Sequence, residues 1–411
     1  MDTRLRKRAM TLTACALALA AVLTACSSSK KSSGTNSSGG SSATGPTINV
    51  GVIGSLTGAQ ASSSNQGATV APAWADWINA NGGIAGHPVK VYVADDKGDP
   101  SDAQAAYQSL LSHNVVAIIG SSDKEVSAFD STALSAGLPL ISGSANSTDW
   151  YTKAGMFPTP TGVLPGVNAQ VAVGVKYGHA TNFANLYCAE IAACAQASPI
   201  LQGATKTAGI GYVGLSVSST SPSYTAQCVL LQQKKVDYAQ LNFTTAAAVK
   251  FVQSCQAQNY NPTWGSSEQA AGTPFASLSN FTMYGPAYAF PSVADAPPVN
   301  TFVSAMEKYA TNSNWREGTA SFTWGGLQAL AKAIQDANVG SSTAVTRQDV
   351  LNGLYSFKDE NLGGLLANGL TYTKGKAVGF QFNPCYFVVG MSGGKTTAPA
   401  GLTPQCPSTS G

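Results

Sequence analysis

From residue 47 onward, short β-rich runs alternate with helical runs. "TINVGVIGS" is a strand ending in a small-residue loop, and "QGATVAPAWADWINAN" has a helical pattern stopped by Gly82-Gly83. "PVKVYVAD" alternates Val89, Val91 and Val93 as a strand does, "SDAQAAYQSLLSH" is helical, and "VVAIIG" is a wholly apolar strand. "EVSAFDSTALSAG" and "LPLISGS" continue the alternation, and after "FPTPTG" the pattern starts again through "NFANLYC", "GIGYVG" and "VDYAQLNF". Strands that are apolar throughout, separated by helices, demand a parallel sheet covered on both faces. Two such runs in tandem predict an α/β chain of two doubly wound parallel-sheet lobes with a cleft between them.

The chain begins differently. Arg4, Arg6, Lys7 and Arg8 precede the uncharged run "TLTACALALAAVLTAC", the pattern of an export signal and too short to span a membrane comfortably. It ends in Leu23-Thr24-Ala25-Cys26, which resembles the bacterial lipobox and implies lipidation of Cys26 after cleavage. Residues 1–25 are therefore expected to be a lipoprotein signal peptide. The Ser/Gly stretch 26–46 cannot bury a core and reads as a tether reaching roughly 25 Å. The expected location is outside the cell membrane, anchored to its outer face by lipid.

Removing the signal changes the charge. The whole chain has 23 basic and 20 acidic side chains, and residues 1–25 hold four basic and one acidic, leaving 19 of each. A neutral mature chain makes no case for nucleic acid as a partner. Besides Cys15 and Cys26 there are six cysteines, Cys188, Cys194, Cys228, Cys255, Cys385 and Cys406. In an exported chain these read as disulfides, and the spacing favours the local pairs 188–194, 228–255 and 385–406. No C-x-x-C occurs and the only histidines are His87, His113 and His179, so no metal and no cofactor are expected. All three histidines read as surface punctuation. With only three histidines and no H-E-x-x-H, the chain makes little case for a hydrolase.

"YVADDKGDP" concentrates Asp95, Asp96 and Asp99. Such a cluster could hold a cation. However, Asp99 followed by Pro100 opens a helix as N-cap and first helical residue, and no distal Glu completes a calcium loop. A structural turn is the better reading. Trp74 and Trp77, one helical turn apart, likewise read as core packing.

"GVIGSLTG", "INANGGIAGHPVKVYVADDKGDPSDA", "AIIG" and "GLPLISGSANS", in that order and spacing, resemble the leucine/isoleucine/valine-binding type of periplasmic binding protein. "SPSYTAQC" and "GTASFTWGGLQALAKAI" extend the likeness over about residues 47–390. The resemblance implies the type I fold, two lobes joined by three crossover strands near 158–162, 285–290 and 370–375. Lobe one would be 47–160 plus 288–371, and lobe two 161–287 plus 372–411. It implies a monomeric receptor that delivers a small-molecule solute to ABC permease subunits, with a ligand-sensing lobe pair that reports to a signalling partner as the alternative.

The resemblance also implies site residues. Ser144, Ala145 and Asn146 would hold a carboxylate at a helix start. Ser122 or Asp123 follows Gly120 in a loop that is one residue shorter than in relatives. Glu268 would meet an amine from the second lobe. Ser63 and Thr244 fall where relatives often have aromatics, so a branched aliphatic ligand is not implied. The expected solute is an amino acid or a related amide.

Overall fold

The computed structural model describes residues 43–58, 61–122, 125–142, 147–161, 166–190, 192–267, 273–379, 382 and 384–406. The first unit is built on strands β1 (Ile48–Gly54), β2 (Val89–Asp95), β3 (Ala117–Ser122), β4 (Leu140–Ser142) and β5 (Met156–Pro158), ordered β2-β1-β3-β4-β5 and parallel throughout. Helices α1 (Ala61–Ser64), α2 (Gly67–Ala80), α3 (Pro100–Leu111), α4 (Asp130–Ser135) and α5 (Asp149–Thr152) link these strands. Val50, Val52 and Ile53 of β1 are fully buried, as a central strand covered on both faces requires.

The second unit begins with α6 (Asn168–Lys176) and continues through β6 (Asn182–Cys188), α7 (Ala192–Ala208), β7 (Gly211–Val217) and α8 (Thr225–Gln233). It then runs through β8 (Tyr238–Asn242), α9 (Thr245–Gln256), β9 (Thr263–Gly265), α10 (Thr273–Ala276) and β10 (Thr282–Ala287). Its sheet has the order β12-β11-β10-β9-β8-β6-β7, with β11 (Phe387–Ser392) and β12 (Lys395–Thr397). Strands β6 to β10 pair in parallel, whereas β11 joins β10 and β12 antiparallel. Gly393 and Gly394 lie at φ 57° and 73°, backbone that glycine reaches without strain, and they make the tight reversal between β11 and β12.

Between β10 and β11 the chain returns to the first unit. Helices α11 (Pro297–Tyr309) and α12 (Ala320–Asp336) pack on α2, α12 also touches β3 and β4, and α13 (Arg347–Ser356) packs on α12. Trp74 is buried, and the Trp77 ring lies 5.0 Å from that of Trp324. Both expected core tryptophans therefore pack in this layer. The Thr346–Asp349 capping box starts α13.

The connections between the two sheets are tied together. Tyr372 donates its hydroxyl to Pro158 O at 2.7 Å, and Asn368 brackets Cys385, donating to its carbonyl at 3.0 Å and accepting its N–H at 3.2 Å. Thr161 donates to the same carbonyl.

Three disulfides join Cys188 to Cys194, Cys228 to Cys255 and Cys385 to Cys406. The second clamps α8 to α9 within the core. One expectation fails: His87 is buried rather than a surface residue. The segment at Gly45 and Pro46 folds over its turn, with Gly45 N–H donating to Gly86 O at 3.0 Å and His87 Nδ1 3.0 Å from Pro46 O. His113 stacks on Tyr92 at 3.9 Å between ring centres.

Candidate functional site

In a doubly wound sheet, loops at the carboxyl ends of the strands converge on any bound molecule. The first unit presents Ser55 after β1, Ser121 and Ser122 at the end of β3, and Ser142 at the end of β4. The second presents Asn242 at the end of β8, followed by Thr244 and Thr245, and Ser266 after β9. Ser55, Ser121 and Ser266 are fully buried, so these strand ends are packed with small polar residues rather than aliphatic ones.

The two sets meet. Ser63, on α1, lies with its Oγ 3.1 Å from Thr245 Oγ1 and accepts the Thr245 N–H at 3.3 Å. Ser63, singled out from sequence, thus meets Thr245, the chain neighbour of the expected Thr244, from the opposite unit. The hydroxyl of Ser63 engages α9 in this arrangement. Asp123, Ser144, Ala145, Asn146 and Glu268 lie outside the described residues, as does Cys26. Ser122 is the last residue of β3.

The aspartate cluster supports this site without belonging to it. Asp95 accepts from Leu56 N at 2.9 Å, Thr57 N at 3.2 Å, Thr57 Oγ1 at 2.5 Å and Lys97 N at 2.9 Å. It thereby fixes the loop that leads from β1 to α1. Burial by itself would raise the Asp95 pKa, but the Thr57 hydroxyl and the amides of Lys97, Thr57 and Leu56 outweigh it and hold the carboxyl below its ordinary value. Asp96 is buried and accepts from Gly98 N at 2.8 Å. Asp99 caps α3, accepting from the N–H groups of Ser101 and Asp102, and the Ser101 hydroxyl and N–H lower its pKa. Among the described residues no group of three or more His, Cys, Asp or Glu side chains is placed to hold a metal ion.

Behind the strand ends lies a hydroxyl network. Ser121 Oγ is 2.8 Å from Thr323 Oγ1 of α12, and Gln66 Oε1 accepts from both Thr319 N and Thr319 Oγ1 at 3.1 Å. Gly67 opens α2 directly against the Ser121 side chain, where a β-carbon would overlap it. The second unit holds a feature that sequence reasoning missed. Asn185, Gln240 and Asn242 point to one face of otherwise apolar strands and interlock with Gln170 of α6. The available signal was polar amides recurring at alternate positions in "VDYAQLNF" and interrupting "NFANLYC".

Glu190, in the loop closed by the Cys188–Cys194 bond, accepts from Ser218 Oγ at 2.8 Å and Ser219 N at 2.7 Å. Burial would raise its pKa, and these bonds lower it overall. A cavity of about 510 Å³ lies away from the strand ends, beside the connection between the sheets, with Asp359, Asn361, Asn368 and Leu402 in its wall.

Two α/β units, each built on a parallel-dominated sheet and meeting at Ser63 and Thr245, have the architecture of the periplasmic type of ligand-binding protein. The chain belongs to the periplasmic binding protein family, whose model matches residues 47–395. Solved structures share the fold. A branched-chain amino acid ABC transporter protein from Thermus thermophilus with bound valine is 15% identical, with a TM-score of 0.71 over 88% of this chain and 97% of that one. A fatty acid ABC transporter substrate-binding protein from Thermomonospora curvata is 18% identical, with a TM-score of 0.68 over 88% and 93%. A leucine-binding protein from Thermotoga maritima is 14% identical, with a TM-score of 0.68 over 88% and 99%. No curated protein sequence matches the chain. Among the described residues no helix is long and apolar enough to cross a membrane.

Proposed function

We propose that this chain is the extracytoplasmic solute-binding lipoprotein of an ABC importer, held to the outer face of the membrane by lipid on Cys26. The two sheet units act as lobes, 47–160 plus 288–371 and 161–287 plus 372–411, that close on a small polar solute. The observation that carries the reading is the meeting of strand-end loops from opposite units at Ser63 and Thr245, within a chain of this family.

On the first lobe we assign Ser144, Ala145 and Asn146, together with Ser122 and Asp123, to the carboxylate or amide carbonyl of the solute. On the second, Thr244 and Glu268 meet the donor end of the solute. Ser63 closes the boundary between the lobes. The relatives of known structure bind valine, leucine or fatty acid according to their descriptions, so the fold alone fixes no solute. The hydroxyl-rich strand ends favour an amino acid or related amide over a fatty acid.

A thermal-shift screen of amino acids, small amides, urea, aromatic acids and fatty acids tests this. A true solute at 100 times its Kd stabilises the protein by about 2.7 kcal/mol. Stabilisation by a fatty acid alone would reverse the solute class.

A further inference from the structure

The first turn of α9 is capped in an unusual way. Thr244 has the backbone of an N-cap residue, φ −59° and ψ 145°, yet its hydroxyl makes no capping bond. Threonine in that position ordinarily accepts one of the N–H groups that a helix start leaves without a partner. Here the first amide, Thr245 N–H, is taken by Ser63 Oγ at 3.3 Å, from the other unit and 182 positions away in the chain.

Ser63 is held in place for this. Ser64 donates to Ser55 O at 2.6 Å, fixing α1 to the end of β1. Gln66 accepts from Thr319 at the start of α12. Gly318 lies at φ 57° with the Gln66 side chain packed against it, so that a side chain at 318 would be both strained and in collision. α1 is therefore a short, fixed arm, and the half-buried hydroxyl of Ser63 reaches the opposite helix.

We propose that Ser63 is a cap supplied in trans to α9, and that it sets the balance between joined and separated lobes. When the lobes part, the Thr245 N–H loses Ser63 and turns to water, because an N-cap hydroxyl such as that of Thr244 reaches the second or third amide of a helix and not the first. Ser63 therefore favours the joined state. This rests on the two-lobe reading above. It assigns Ser63 to the conformational equilibrium, apart from any contact with solute.

The test is single-molecule energy transfer on the full chain without solute, with dyes at the exposed positions Lys206 of α7 and Lys308 of α11. Ser63→Ala should shift the populations about fivefold toward separation, the usual effect of losing one cap. Ser63→Thr, which keeps the hydroxyl, should restore the wild-type ratio. Circular dichroism checks that each variant is folded. Two populations that Ser63→Ala leaves unchanged would overturn the trans cap while leaving the two-lobe reading intact. A single population in every variant, with or without solute, would overturn both.

Discussion

Asn242 Nδ2 donates to Asn185 Oδ1 at 2.9 Å, joining two neighbouring strands of the second sheet through their side chains. The same amide donates to Gln170 Oε1 at 2.9 Å, and its oxygen accepts from Gln240 and Gln170. Asn185 and Gln240 are fully buried. Asn242→Leu would leave several buried amides without partners, each costing about 1–3 kcal/mol. We expect a loss of about 3 kcal/mol in urea unfolding. A loss below about 0.5 kcal/mol would mean that this network does not hold β6, β8 and α6 together.

Lys153 ties the end of α5 to a buried acid. Its Nζ lies 2.6 Å from Asp130 Oδ2, whose side chain is fully buried, and 3.3 Å from Asp149 Oδ2. Burial works against the ammonium, but the bonds to Asp130 and Asp149 raise its pKa overall. Lys153→Met strands the Asp130 carboxylate, and because the lysine is partly exposed we expect a cost of about 2 kcal/mol. Adding Asp130→Asn should recover part of it. If the double variant is less stable than Lys153→Met, the stranded charge is not the cause.

Acid should unpick the turn that supports α1. Asp95 and Asp99 both have folded pKa values below the ordinary aspartate value of about 3.9. Each carboxyl therefore binds its proton less readily in the folded chain than in the unfolded one. The stability it contributes is present above the unfolded value and is lost as pH falls through the folded one. Urea midpoints from about pH 6 to about pH 2 should fall more steeply for wild type than for Asp95→Asn. Parallel curves would refute the contribution of Asp95.

The first unit was largely legible in the sequence because its signals are local. Val89, Val91 and Val93 alternate, Asp99-Pro100 caps a helix through its own neighbours, and Gly82-Gly83 ends α2. The family resemblance supplied the order of the remainder. What escaped depends on partners distant in the chain. The burial of His87 needs the strand-leading segment at Pro46, the amide network needs α6 beside β8, and the hydroxyl of Ser63 meets Thr245 only once both units have folded. The antiparallel β11–β12 hairpin was signalled locally by Gly393-Gly394, but the expectation of a wholly parallel sheet obscured it.

The most direct measurement of the central claim is calorimetric titration of the screened solute into wild type, Asn146→Ala and Glu268→Ala. If the solute is an amino acid held between the lobes, Asn146 helps hold its carboxylate and Glu268 meets its amine with a charge-assisted bond. Removing either leaves a desolvated group in the closed site, so each variant should bind about thirtyfold more weakly, a loss of about 2 kcal/mol. Wild-type affinity in both variants would contradict a solute bound between the two lobes at these loops.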